Sequence, residues 1–318
     1  MFRKTWIFLL ALALAACNLP SPSAPAPGGS APTETPFVPD PGDIAGPVPE
    51  TTPVFAPLTE EMLRDAAYVL GGQNSLDAVW FVDGIYQQGT DPSAAGYVSA
   101  EMLDPIAFGD LNGDGAGDAV ALVAENYGGT GIFVYLAIYL NNLGQPLFNW
   151  SAMIDDRPII NALTIQDGKI LLDAVIHSYV DAMCCPSFHV NETYYLGPGS
   201  LTWGRRTSFT PEGSERAIDI TLPVAGEHPA GPLHVSGSVT IAPFENNLAY
   251  VLLDPTGAVL LSGSLTVSAP GPGAPGTFDS VIDLSAIPTG STVRLEIRDL
   301  SAADGWLLAL DTVDLTIR

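Results

Sequence analysis

Residues 108–124 have the sequence FGDLNGDGAGDAVALVA, in which a turn-rich segment runs directly into an apolar stretch. The Asn-Gly and Asp-Gly pairs favour tight turns, because asparagine and glycine tolerate the left-handed backbone that such turns need. The apolar stretch from Ala119 to Ala124 has the length of a strand and is bounded by turn residues, which predicts a buried strand. Pro105 to Phe108 predicts another strand before the turn. This part of the chain therefore predicts a fold of short strands joined by turns.

Side-chain oxygens recur through the turn-rich segment at positions 1, 3, 5 and 9. They belong to Asp110, Asn112, Asp114 and Asp118. This spacing turns the four side chains towards one cation, and Gly115 supplies the bend. Calcium takes about six to eight oxygen ligands, so the loop suits calcium better than magnesium. Position 12 is Ala121, where an EF-hand has glutamate, so the loop is not a standard EF-hand. It predicts one calcium ion as cofactor, with a hairpin turn of solvated carboxylates as the alternative.

Two resemblances extend this interpretation. The loop, with its Phe-Gly lead-in, resembles the Asp-x-Asn-x-Asp-Gly loop of FG-GAP-type repeats in integrin-like propellers, but one copy excludes a propeller. The stretch from Leu58 to about Trp203 resembles an uncharacterised domain of bacterial envelope lipoproteins. The motifs that carry this likeness are VDGIY (82–86), FGDLNGDG (108–115), GGTGIFVYL (128–136) and MCCP (183–186). That resemblance implies a fold unit and no reaction.

The start of the chain is typical of an exported protein. Arg3 and Lys4 precede an apolar run, Trp6 to Ala16, that suits a signal peptide and is too short to span a bilayer. The ending LAAC resembles the lipobox of bacterial lipoproteins, which implies a signal peptide of residues 1–16 and palmitate-type acylation of Cys17. An ordinary secretory signal with a chance cysteine is the alternative.

Residues 17–57 form a predicted tether. They are rich in Pro, Ala, Ser, Gly and Thr and nearly lack large apolar side chains, so they cannot bury a core and predict a disordered or polyproline spacer. We therefore expect a cell-envelope protein, anchored by lipid to a membrane on its extracytoplasmic side. Asn18 leaves the membrane leaflet open.

Acidic side chains dominate the composition. The chain has 11 Lys and Arg against 35 Asp and Glu, a formal net charge of −24. Such a charge repels nucleic acid and anionic lipid, so we expect no nucleic-acid partner.

Residues 58–204 predict a first domain. Thr59 can cap a short helix whose first turn contains Glu60 and Glu61, as the helix dipole favours. Strands follow, which predicts an α+β fold, mostly antiparallel β. The predicted strands are Val79–Val82, Ala119–Ala124, Ile132–Leu140, Ile159–Ile165, Ile170–Ile176 and His189–Leu196. A linker is predicted at residues 205–214, where Arg and Gly interrupt the apolar pattern.

Cys184 and Cys185 are adjacent, and export would place them where disulfides form. Neighbouring Cα atoms lie about 3.8 Å apart, closer than the usual ~4.4 Å minimum for a disulfide, so a vicinal bond is feasible but strained. Two buried thiols, or a metal pair with His177 or His189, are the alternatives. The vicinal disulfide is favoured because paired thiolate ligands normally have a Cys-x-x-Cys spacing.

Residues 215–318 predict an all-β immunoglobulin-like sandwich of about seven short strands. The strands identified are Pro232–Val239, Leu248–Leu253, Val259–Ser264, Thr277–Leu284, Thr292–Ile297 and Leu307–Ile317. The segment resembles the immunoglobulin-like domain attached to bacterial spore germination and sporulation proteins, in PLHVSG (232–237), LDPTG (253–257), GTF (276–278) and DLSAADG (299–305). It departs from them in Gly231 before Pro232, where serine is usual. The resemblance implies the fold and an interaction role.

The sequence predicts a non-catalytic binding lipoprotein whose partner is an envelope protein or glycan. A sandwich offers edge strands and end loops to partners. The alternative is an envelope hydrolase acting on glycan or cell-wall polymer with Asp155, Asp156 or His177, although no catalytic motif spacing is present.

Overall fold

The structure is a computed structural model that describes residues 56–71, 78–197 and 200–318, so the predictions for residues 1–55 lie outside the described residues. Within these ranges the chain is almost entirely antiparallel strand, with one α-helix, α1 (Glu60–Arg64). The predicted cap is confirmed, since Thr59 Oγ1 accepts the N–H of Met62 at 3.3 Å. The α+β prediction for residues 58–204 is wrong in its helical part, because a helix of five residues forms no layer of its own.

The strands of the described residues alternate with short turns. They are β1 Ala67–Val69, β2 Ala78–Trp80, β3 Ile85–Gln88, β4 Val98–Gly109, β5 Asp118–Asn126, β6 Phe133–Asn142, β7 Gln145–Asp156, β8 Ile159–Gln166, β9 Lys169–Ile176, β10 Phe188–Gly197, β11 Ser200–Phe209, β12 Glu215–Arg216, β13 Ile218–Leu222, β14 Leu233–Val239, β15 Asn247–Leu253, β16 Val259–Ser268, β17 Gly276–Ile282, β18 Thr292–Leu300 and β19 Leu307–Thr316. A 3-10 turn, Phe244–Asn246, precedes β15.

β5 and β6 lie in the middle of a sheet ordered β3-β4-β5-β6-β7. Every side chain from Asp118 to Val123 is buried, because both faces of this sheet are covered. One face packs against α1 and the β1–β2 hairpin, with Tyr68 and Tyr139 at its centre. Burial on both faces explains an apolar stretch that does not alternate with polar residues.

β8, β9, β10 and β11 form a second layer against the other face of this sheet. Leu172 and Val190 of this layer share a core with Leu122 of β5. The layers approach closely beside the acidic loop, where a Cβ on Gly109 would lie 2.5 Å from Cγ2 of Ile165. Glycine is therefore needed in the Phe-Gly lead-in.

Residues from Ile218 onward fold as a β-sandwich. One sheet contains β13, β14 and β17, and the other contains β15, β18 and β19. β16 pairs with β15 and, through Val267 and Ser268, also with β17, which joins the sheets on one side. Phe278, Leu248 and other apolar side chains fill the space between the sheets.

The two halves are joined by backbone pairing between β11 and β19, at Arg205 with Asp311 and Arg206 with Leu310. The predicted linker 205–214 therefore begins inside a strand, since residues 205–209 belong to β11. On the same side, Arg205 pairs with Asp219 of β13 at 2.8 Å. The first half thus covers the β19 edge of the second, whereas β13 stays at the other end of the sheet order with β14 as its neighbour.

Candidate functional site

The acidic loop between β4 and β5 is held by bonds from its side chains to its own backbone. Asp110 accepts the N–H groups of Gly113 at 2.7 Å and Gly115 at 2.9 Å. Asn112 accepts the N–H of Asp114 at 2.9 Å. These bonds wind the loop tightly.

Asp118 has a different environment from the rest of the loop. Its side chain is buried, and its two oxygens accept the N–H groups of Leu111 at 2.9 Å and Asn141 at 2.8 Å. Burial raises the pKa of Asp118 more than these two hydrogen bonds lower it, and the charges of Asp114 and Asp110 raise it further. Asp118 therefore ties the loop to the end of β6.

The donor chemistry of the loop fits calcium, since every predicted side-chain ligand is an oxygen. Each carboxylate oxygen keeps a second lone pair beyond its bond to an amide. Across residues 56–71, 78–197 and 200–318, no three His, Cys, Asp or Glu side chains are grouped as a metal site requires. The four predicted side chains therefore share one loop, but its three carboxylates are not grouped around one point, and Asp118 is bonded instead to the N–H groups of Leu111 and Asn141.

Asp155 and Asp156 separate at the end of β7. Asp155 Oδ2 lies 2.8 Å from His177 Nδ1 and accepts the N–H of His177 at 2.5 Å. Asp156 instead pairs with Arg157 at 2.8 Å and accepts the N–H of Ile132. The two carboxylates therefore do not form an acid–base pair with each other.

His177 is buried at the end of β9, and within the described residues its Nε2 has no hydrogen-bond partner. Burial lowers the pKa of His177, but the Asp155 carboxylate outweighs it, so that the pKa is raised above 6.5. The sequence did not indicate this pairing, because Asp155 lies in β7 whereas His177 follows β9, 22 positions later. His189, the other histidine considered as a metal ligand, lies 2.8 Å from Asp173 and stacks on Phe209.

Residues 178–187, here called the cysteine loop, join β9 to β10. Their adjacent cysteines, Cys184 and Cys185, are bonded to each other, with Cα atoms 3.8 Å apart. Asp181 accepts the N–H groups of Ser178 at 2.7 Å and Ser187 at 2.9 Å and also the hydroxyl of Ser187. The hydrogen bond from the backbone N–H of Ser178 lowers the pKa of Asp181 most. Burial raises this pKa, but the bonds from Ser187 lower it further, and the result is a pKa of about 2.

A groove of about 610 Å³ lies where the two halves meet. Its walls come from the β10–β11 hairpin, the turn between β15 and β16, and the first residues of β18. On its lining, Arg294 stacks 4.3 Å over the ring of Tyr195 and pairs with Asp314 at 2.9 Å. Asp254 adds a second carboxylate, and the other side chains lining the groove are apolar or hydroxyl-bearing: Leu196, Leu201, Thr202, Leu253, Pro255, Thr256, Thr292 and Val293.

A buried ion pair supports this junction. Arg206 Nε donates to Glu192 at 2.6 Å, and Arg206 Nη1 donates to the carbonyl of Leu307 at 3.2 Å. Sequence reasoning placed Arg206 in a linker, because a buried arginine resembles a surface residue until its partner is known.

These features define a class: a two-part antiparallel β protein with a preformed groove at the junction of its halves. Residues 217–306 match the family model described as the immunoglobulin-like domain of bacterial spore germination, which confirms the immunoglobulin-like prediction for this part of the chain. No curated protein and no solved structure matches the chain. Among the described residues, no helix has the length and apolar character needed to cross a membrane.

Proposed function

We propose that this protein is a non-catalytic binding lipoprotein of the bacterial cell envelope. Cys17 anchors it by lipid on the extracytoplasmic side of a membrane, and residues 17–57 hold the folded part away from the lipid surface. Its partner is an envelope protein or a glycan. The groove at the junction is the observation that supports binding most directly.

The groove has the properties of a ligand site. Its volume falls within the range of roughly 300–1,000 Å³ found for small-molecule sites, which occur preferentially where domains meet. Leucine and proline side chains supply apolar contact, while Arg294, Asp314 and three threonines can orient a polar ligand. Backbone pairing and the buried Arg206–Glu192 ion pair hold the walls, so that little ordering would be needed on binding.

Filling the groove tests this proposal. Thr292 is exposed at its edge, so Thr292→Trp would obstruct the groove without disturbing a core. The purified protein would be incubated with envelope extract and with a glycan array. We expect the wild type to retain a specific partner and Thr292→Trp to retain at least tenfold less.

Thr266→Trp is the matched control, because Thr266 is an exposed strand threonine of the same sandwich and does not line the groove. It should bind as the wild type does. Equal retention by Thr292→Trp and the wild type would show that the groove is not the site. Retention of nothing by the wild type would contradict the binding function.

We further propose that one calcium ion binds Asp110, Asn112, Asp114 and Asp118 and stabilises the loop. Asp110→Asn with Asp114→Asn removes two carboxylates and keeps side chains of the same size. The wild type should melt several degrees higher in calcium than in chelator, and the double variant should lose that difference. If the wild type melts at the same temperature in calcium and in chelator, the loop is a turn without a bound calcium ion.

The hydrolase alternative rests on the Asp155–His177 pair, whose buried Nε2 could accept a proton. If the protein hydrolyses a glycan or cell-wall polymer, His177→Gln and Asp155→Asn should both abolish turnover. If the wild type hydrolyses such a polymer and these variants do not, the hydrolase function replaces the binding proposal.

A further inference from the structure

The disulfide between Cys184 and Cys185 is open to solvent. Both cysteines are exposed, and so are Ala182 and Met183 just before them. Thiol–disulfide exchange begins when an external thiolate reaches one of the two sulfur atoms, so access from solvent is its first requirement. Exposed disulfides are in general the labile, regulatory or catalytic ones, whereas structural disulfides resist reduction.

This disulfide does not join distant parts of the fold. A disulfide stabilises a protein mainly by closing a loop of the unfolded chain, and its contribution grows with the length of that loop. Cys184 and Cys185 are neighbours, so their bond closes the shortest loop that a chain allows. The ends of the cysteine loop are already held together without it, because Asp181 accepts the N–H groups of Ser178 and Ser187. Stability of the fold therefore gives little reason for the bond.

The adjacency of the two cysteines also favours reduction. Their Cα atoms lie 3.8 Å apart, which is less than the usual minimum of ~4.4 Å, and disulfides outside the usual range are more easily reduced. The turn that contains them does not depend on the sulfur atoms, because the N–H of Cys185 donates to the carbonyl of Ala182 at 2.9 Å. The loop therefore has hydrogen bonds that suit both the oxidised and the reduced pair.

We propose that Cys184 and Cys185 form a redox site that exchanges two electrons with an external dithiol. One thiolate of the dithiol bonds to one of the two sulfurs, and the bond between the cysteines breaks to release the other sulfur as a thiolate. The second thiolate of the dithiol then attacks the mixed disulfide, closes its own disulfide and releases the remaining cysteine. The dithiol loses two electrons and two protons, and the cysteine pair gains both. This site depends neither on the groove nor on the lipid anchor.

The redox state of this pair should be felt at His177, which directly precedes the cysteine loop. Burial lowers the pKa of His177, but the carboxylate of Asp155 and the backbone of Met183 raise it above its ordinary value. Met183 is the neighbour of Cys184 in the turn, so a rearrangement of the pair alters the surroundings of the imidazole. The His177 ring is therefore a built-in reporter of the reaction.

Equilibrating the full chain with mixtures of reduced and oxidised glutathione tests the redox site, with alkylation and peptide mass as the readout. We expect Cys184 and Cys185 to gain two alkyl groups together, reversibly and without denaturant, in an excess of reduced glutathione that structural disulfides resist. The two states should melt within about 4 °C of each other, because so short a ring removes little chain entropy. A pair that reacts only in the unfolded chain, or a larger fall in melting temperature on reduction, would mark a structural disulfide and overturn the proposal.

NMR of the same samples follows the histidine rings. Reduction should shift the ring signals of His177 and leave those of His234 unchanged, since His234 pairs with Asp279 on the sandwich at 3.0 Å. An unchanged His177 signal in the reduced protein would contradict the link between the pair and the imidazole.

Trapping in acid-quenched cells identifies the dithiol. Cys184→Ser and Cys185→Ser each leave one thiol, so a mixed disulfide with the dithiol cannot be resolved by a second cysteine of this chain. We expect at least one of these variants to carry an adduct that a reductant removes; a second protein in it identifies a protein dithiol, and a small thiol identifies a low-molecular-weight source. The variant with both substitutions keeps Cys17 and is the control, which should carry none. No adduct with either single variant, or only a disulfide between two copies of this chain, would overturn the proposal.

Discussion

Asp118 lies where the acidic loop enters β5, and its two oxygens bind the N–H groups of Leu111 and Asn141. Sequence spacing identified Asp118 as the ninth position of a calcium-type loop. It did not indicate the bond to Asn141, because that residue is 23 positions away and adjoins it only through the pairing of β5 with β6.

Asp118→Asn should destabilise the fold even without calcium. Asparagine has one side-chain oxygen, so one of the two buried amides would lose its acceptor, at a cost of about 1–3 kcal/mol in the free energy of unfolding. Chemical denaturation in chelator measures this. Asp114→Asn, on the exposed part of the loop, should cost less than about 1 kcal/mol; equal effects would contradict a special role for Asp118.

At the scale of elements, the strands that sequence reasoning found and missed have a common explanation. β5 and β6 were predicted because burial on both faces makes them continuously apolar. β7 was missed because it is an edge strand with alternating exposure and a proline, Pro146, near its start. β11 was missed as well. One reason is that Arg205 and Arg206 form ion pairs with residues distant in the sequence, which the sequence alone does not reveal.

The cysteine loop should loosen in acid. The pKa of Asp181 is lowered from 3.8 to about 2 in the folded protein, so its stabilising bonds are fully present above 3.8 and are lost as the pH falls through about 2. Amide hydrogen exchange at Ser178 and Ser187, corrected for intrinsic rates, should show protection at pH 5 that disappears below pH 2.

Asp181→Asn should reduce this protection at neutral pH as well. Asp91→Asn is the matched control, since Asp91 holds Ser93 in another exposed turn in the same manner. Protection at Ser178 and Ser187 that survives both acid and Asp181→Asn would show that other bonds hold the loop.

At the scale of the whole molecule, the sequence predicted two domains with a linker, whereas the described residues form a continuous sheet across the junction. We therefore expect the two halves to unfold together in one calorimetric transition. Two separate transitions in the wild type would contradict this coupling.

Arg206→Met should weaken the junction strongly. It leaves Glu192 buried without its counter-charge and removes the bond to Leu307, at a cost of about 3–5 kcal/mol in the free energy of unfolding. Adding Glu192→Gln removes the stranded charge and should recover part of the loss. Arg64→Met, which breaks more exposed ion pairs, should cost less than about 1 kcal/mol.

The central proposal is that a lipid on Cys17 tethers the whole molecule to a membrane, and substitution of Cys17 tests it. Cells expressing the full chain would be fed an alkyne fatty acid, and the labelled protein would be detected in membrane and soluble fractions. We predict that the wild type and Cys184→Ser are labelled in the membrane fraction and that Cys17→Ser is unlabelled. A wild-type protein that is processed, unlabelled and entirely released into the medium would contradict the account.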